Sequence, residues 1–206
     1  MKALIVVDLQ NDFMPGGTLP VARGDEVAPL ANRLMKAFPV VVTTQDWHPR
    51  KHGSFAASHR RRHVGDVIDL NGLEQILWPV HCVQNTKGAA FVDELDVDGL
   101  SYAFQKGTDP GIDSYSGFFD NGYRRATSLD TYLTQRLVQR VYVCGVATDY
   151  CVKYTCLDAR LREFETFLIE DACRGVNLKR GDVRNAVREM QNAGVKVVKS
   201  RDILKA

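Results

Sequence analysis

Six short apolar runs rich in β-branched residues punctuate the chain: Ala3 to Val7, Val40 to Thr44, Tyr102 to Phe104, Val141 to Cys144, Thr166 to Ile169 and Val195 to Val198. Each is continuous rather than alternating, the pattern of strands buried on both faces. Between most of them the apolar residues fall three and four apart, as on one face of a helix. Val27, Leu30, Ala31, Leu34 and Met35 make one such stripe. Val152, Cys156, Ala159 and Glu163 trace a longer helix, its buried side broadened by Leu157, Leu161 and Phe164. Strand and helix alternating in this way predict an α/β fold with a mostly parallel central sheet covered on both faces. At 206 residues, with nothing that reads as a linker, a single domain over 1–206 is the expectation.

Two long stretches break this rhythm, Asp46 to Gly99 and Gly107 to Ser128. Loops of such length in a compact domain are usually functional, and in open parallel sheets the ligand crevice lies beyond the carboxyl ends of the strands. The first stretch carries the run HRRRH, His59 to His63, which reads as a solvated loop because no aromatic platform interleaves it. The whole chain balances 27 Lys plus Arg against 25 Asp plus Glu, a formal net charge of +2. That leaves no global field to recruit nucleic acid or an anionic membrane, and small neutral substrates stay open. The first apolar run is too short for the core of a signal peptide and far too short to span a bilayer. Five cysteines without paired spacing argue for a reducing compartment, so a cytoplasmic protein is expected.

Three strand ends carry chemistry together. The first run ends at Asp8, the third at Lys106, and the fourth leads through GVATDYCV to Cys151, expected on the first turn of a helix, where backbone amides and the helix dipole favour an anion. A thiolate attacking an amide needs an activated sulfur, a proton carrier for the leaving amine, and charge balance. Cys151, Asp8 and Lys106 match these three needs in turn. The amides of Ala147 and Cys151 are placed to receive a developing oxyanion. Asp149 reads as a helix N-cap rather than a catalyst. An acid after the first strand and a lysine after a later one also describe a phosphorylation switch, but that reading leaves Cys151 idle.

A second constellation is DWHPRKH, Asp46 to His52, directly after the second run. Asp46 and His48 are two apart and can face the same way, His52 can return a short turn later, and His81 in WPVHC is a candidate fourth ligand from a distant loop. Imidazoles with one carboxylate match zinc, and the same mixture with open positions suits iron or manganese.

These residues resemble a known family, the cysteine hydrolases of the isochorismatase-like superfamily and, within it, the nicotinamidases. The resemblance runs through VDLQNDF (Val7 to Phe13), QDWHPRKHGSFA (Gln45 to Ala56), WPVHCVQNT (Trp78 to Thr86), QKG (Gln105 to Gly107), DSYSGFFDN (Asp113 to Asn121) and GVATDYCV (Gly145 to Val152). It implies an isochorismatase-like, Rossmann-like three-layer α/β/α fold, with Asp8, Lys106 and Cys151 as catalytic triad. It further implies one divalent metal ion held by Asp46, His48, His52 and His81, and a cis peptide between Val146 and Ala147. Phe13 and Trp78 would wall the substrate ring, with Tyr115 near the mouth and the metal on the ring nitrogen. The implied reaction is hydrolysis of nicotinamide to nicotinate and ammonia in pyridine nucleotide salvage, extending to pyrazinamide. The expected partner is the small substrate, with neither nucleic acid nor membrane; a homo-oligomer is left open.

Overall fold

The first apolar run becomes a middle strand of a six-stranded sheet because every residue after its lysine is buried. In chain order the elements are β1 (Lys2–Val7), α1 (Val27–Met35), β2 (Val40–Asp46), β3 (Val67–Leu70), β4 (Leu73–Ile76), β5 (Tyr102–Lys106), α2 (Leu129–Gln135), β6 (Arg140–Val146), α3 (Lys153–Leu161), β7 (Glu165–Arg174), α4 (Asp182–Asn192), β8 (Lys196–Val198) and α5 (Ser200–Leu204). They are seen in a computed structural model that describes residues 1–205. The strand order is β5-β2-β1-β6-β7-β8, and every neighbouring pair in this sheet is parallel. All six expected runs are strands of it, β2 and β5 reaching two residues further, to Asp46 and Lys106.

Helix α1 packs with α5 against the sheet at β7, while α3 lies on β6 and β7 and carries α4, giving the three layers expected of the sequence. The strand order turns at β1: β2 and β5 extend one way, β6, β7 and β8 the other. Ligand crevices form at such a switch point, and here it is closed tightly by Gly145. At φ +124° this glycine brings β6 so near β1 that a Cβ would lie 2.2 Å from the Val7 carbonyl oxygen.

Three features depart from the sequence reading. The segment between β2 and β5 contains a separate antiparallel hairpin, β3 with β4. Helix α3 ends at Leu161, so Glu163 lies beyond it, and Leu161 is 63% exposed rather than on the buried side. The cause is a left-handed Glu163 (φ 66°): Phe164 N–H reaches back to the Ala159 carbonyl at 3.0 Å, closing the helix end. Finally, Cys151 is not on the first turn of an α-helix. Residues Thr148–Val152 form a wider π-helical turn, with Val152 N–H bonded to the Ala147 carbonyl at 3.1 Å, and α3 starts only after it.

Candidate active site

The carboxyl ends of β1, β2, β5 and β6 bring together side chains that are far apart in sequence. Asp8 follows β1 in a left-handed conformation (φ 51°). Its Oδ1 accepts a hydrogen bond from Thr44 Oγ1 at 2.6 Å, and its Oδ2 lies 2.9 Å from Lys106 Nζ. Lys106 ends β5 directly opposite Asp46 in the β2–β5 register. Its ammonium, fully buried, contacts Asp46 Oδ1, the Ser114 carbonyl at 3.1 Å and Cys151 Sγ at 3.3 Å. Asp8, Lys106 and Cys151 thus meet at one point, as expected from their positions at strand ends. The peptide between Val146 and Ala147 is cis.

The charges of this cluster are interdependent. Burial opposes ionisation of Lys106, but Asp46, Asp8 and Cys151 outweigh it and hold the ammonium well above its ordinary range. Burial raises Asp8 more than Lys106 lowers it. Cys151 is likewise pushed well up by burial, against the pull of Lys106 and with Asp8 and Asp46 adding to the rise. Burial thus favours the neutral form of both Asp8 and Cys151, with Lys106 opposing it at each. Asp46 behaves oppositely: burial would raise it, yet Lys106, His48 and His81 together keep it ionised.

Asp46, His48 and His81 each offer a ligand atom, all within 4.8 Å of one another and all buried. His48 Nδ1 meets the Gly107 carbonyl at 2.9 Å, and His81 Nδ1 meets the Pro79 carbonyl at 2.8 Å. A carbonyl only accepts, so each Nδ1 carries a proton and the neutral ring has its lone pair on Nε2, the tautomer a metal requires. Against the effect of burial, Asp46 raises His48 in the metal-free site, so that ring gives up its Nε2 proton to bind a cation. Both Nε2 atoms face Asp46 Oδ2, at 3.6 and 3.8 Å. Burial and His48 push His81 down to about 4, so its ring is neutral at neutral pH. The donor set therefore fits a divalent cation. His52 is not in this group; it clusters instead with His48 and Asp113. Its Nδ1 accepts from Ser54 N–H at 3.1 Å, which leaves the proton on Nε2, a buried atom with no hydrogen-bond partner. His52 thus stands beside the ligand set as a donor.

Phe13, Trp78 and Tyr115 line one narrow cavity with Asp46, His81 and Cys151. Tyr150, unforeseen, supports this wall edge-on to Trp78 at 4.9 Å. Gln10 was visible only as part of VDLQNDF; its amide clamps the Asp46 backbone with two 2.8 Å bonds, to the carbonyl and from the N–H. Gly107 is held at φ +64°, and a Cβ there would lie 2.4 Å from the His48 ring. Asp149 is not a helix cap. Its carboxylate accepts the N–H groups of Val176 at 2.9 Å and Asn177 at 2.6 Å, tying the loop after β7 to the turn that bears Cys151. The run His59 to His63 lies away from the cavity; Arg60, Arg61, Arg62 and His63 are exposed, as a solvated loop should be.

The isochorismatase domain model matches residues 2–202. The chain is 46% identical over 197 residues to the nicotinamidase of Escherichia coli strain K12, covering 94% of this chain and 92% of that protein. It superposes with a TM-score of 0.95 on a solved Acinetobacter baumanii nicotinamidase/pyrazinamidase, at 44% identity and covering 98% and 97% of the two chains. With the pyrazinamidase of Pyrococcus horikoshii in complex with zinc the TM-score is 0.78 at 42% identity, covering 96% and 98%.

Proposed function

The chain belongs to the isochorismatase family, and from that membership and the geometry of its site we propose that it hydrolyses nicotinamide to nicotinate and ammonia through a cysteine thioester. The same chemistry applies to pyrazinamide, and the reaction serves pyridine nucleotide salvage. The observation that carries the residue roles is the position of Lys106 Nζ, 3.3 Å from Cys151 Sγ and 2.9 Å from Asp8 Oδ2.

Cys151 Sγ bonds to the carboxamide carbon as its proton passes to Asp8. The Ala147 and Cys151 amides receive the oxyanion, and Lys106 keeps the charge of thiolate and carboxylate balanced. Asp8 then gives the proton to the nitrogen as the carbon–nitrogen bond breaks, releasing ammonia and leaving a thioester on Cys151. Water attacks the thioester carbon while Asp8 takes its proton, and collapse frees the carboxylate product and returns the proton to Cys151. Asp46, His48 and His81 would hold the divalent cation, which would supply a Lewis-acidic point for the ring nitrogen. Zinc is the identity we assign, from the imidazole and carboxylate donors. Phe13, Trp78 and Tyr115 pack against the ring.

All of these residues come from one chain, so a homo-oligomer would assemble complete sites. Among the described residues no helix is long and apolar enough to cross a membrane, and the free thiols at all five cysteines support a cytoplasmic location. We read the whole as one domain, since a single sheet takes strands from both halves of the chain. The test is ammonia release from nicotinamide by the purified, metal-replete protein. Cys151→Ala should lose several orders of magnitude in rate while its stability changes by about 1 kcal/mol. Near-normal turnover by the folded variant would exclude covalent catalysis.

A further inference from the structure

The hairpin β3–β4 has one buried residue among its eight strand positions, and that residue is polar: Gln75, 3% exposed. A buried amide must be hydrogen-bonded, and its partners fix its orientation. Gln75 Nε2, with two N–H groups, faces three acceptors and shares one N–H between two of them: the Ile76 carbonyl at 2.7 Å, Asp113 Oδ2 at 3.1 Å and the Tyr115 hydroxyl oxygen at 3.2 Å. The Ile76 backbone carbonyl only accepts, so the nitrogen and not the oxygen of the amide faces this group of acceptors. The Tyr115 oxygen receives a second donor, Trp78 Nε1–H, at 3.1 Å. Both of its lone pairs are then engaged, and Tyr115 is pinned between the hairpin and Trp78. Tyr150 stands edge-on to both rings, 5.5 Å from Tyr115 and 4.9 Å from Trp78.

We propose that Gln75 is a positioning residue for the substrate ring: acting jointly with Trp78 Nε1–H on the Tyr115 hydroxyl, it fixes the aromatic wall against which the ring packs. This rests on reading the Phe13–Trp78–Tyr115 cavity as the ring-binding slot. Gln75 touches neither Cys151, Asp8 nor Lys106, so its work falls on binding rather than on the chemical steps. Asp113 adds rigidity to the arrangement, because its other oxygen is held by Ser114 N–H at 2.8 Å and its carbonyl by Asn121 N–H at 2.8 Å. Gln75 thus links the hairpin to the slot through Tyr115.

The experiment is a double-mutant cycle on nicotinamide hydrolysis with Gln75→Leu, Tyr115→Phe and the pair. Losing one buried neutral hydrogen bond should raise KM by about 3- to 10-fold and leave kcat within about twofold. In the Tyr115→Phe background, where there is no hydroxyl to orient, the Gln75→Leu effect should shrink to less than about twofold. If Gln75→Leu does not fold, Gln75→Met keeps the length of the side chain without its donors and should give the same pattern, a KM effect that shrinks with Tyr115→Phe. A fall in kcat at constant KM, or an equal KM effect in both backgrounds, would overturn the proposal. Wild-type ammonia release, measured alongside, tests the reading of the slot separately: its absence sinks the ring-binding assignment, while its presence with an uncoupled cycle sinks only the role of Gln75.

Discussion

At Lys106 a fully buried ammonium faces the carboxylates of Asp8 and Asp46 and the thiol of Cys151. The position of Lys106 at a strand end was legible in the sequence. Its partnership with Asp46 was not, because that contact depends on the pairing of two strands sixty residues apart. The consequence is quantitative. Removing one partner from a buried ion cluster strands the others, so metal-free Lys106→Met should be destabilised by about 3–5 kcal/mol in urea unfolding as well as inactive. A loss below about 1 kcal/mol would mean that the two carboxylates are not both ionised beside it. The proton-carrier role proposed for Asp8 gives a second expectation at this scale. Burial raises its pKa above 3.8, so kcat/KM should fall on the acid side through a value higher than an ordinary aspartate shows. The sign for stability is the reverse: the contribution of Asp8 is fully present below pH 3.8 and is lost as pH rises through its folded value. An acid limb at or below 3.8 would remove Asp8 from the proton-carrier role.

Elements were legible where one physical rule acts alone. Strands buried on both faces leave continuous apolar runs, as β1 and β2 do. The runs of β5 and β8 read the same although these edge strands are partly exposed. By contrast, β3 and β4 were not readable, since seven of their eight positions are not fully buried and the eighth is Gln75. The end of α3 was misread because apolar spacing continues through Leu161 and Phe164 while the backbone turns left-handed at Glu163. The turn carrying Cys151 was placed correctly along the chain but not in geometry, and the difference reassigns Asp149. As a cap it would serve only its own helix; in the structure it holds Val176 and Asn177, beside the cavity that Val176 helps to line. Asp149→Ala should therefore cost about 1–3 kcal/mol, the penalty for leaving partly buried donors unpaired. It should also speed hydrogen exchange at the Val176 and Asn177 amides. Unchanged protection of those two amides would show that the loop is held by other contacts.

At the scale of the whole molecule, the pairing of β2 with β5 makes two chemical clusters share one residue. Asp46 presents Oδ1 to Lys106 and Oδ2 to His48 and His81, so the nucleophile and the candidate metal site are joined through a single carboxylate. Such proximity allows two jobs for the metal: holding a ring nitrogen while Cys151 attacks, or activating water for direct attack. Benzamide separates them, since it has the carboxamide of nicotinamide but no ring nitrogen to bind. If the metal orients the ring, benzamide should lose at least two tenfold steps in kcat/KM, each about 1.4 kcal/mol of transition-state stabilisation. Removal of the metal should then lower nicotinamide turnover far more than the residual benzamide turnover. If the metal activates water, the two amides should be hydrolysed about equally and Cys151→Ser should keep much of the rate. The first outcome is expected, because the roles proposed for Cys151 and Asp8 already supply a nucleophile and a proton carrier beside Lys106. Comparable kcat/KM for the two amides with metal-replete protein would overturn the orienting role of Asp46, His48 and His81.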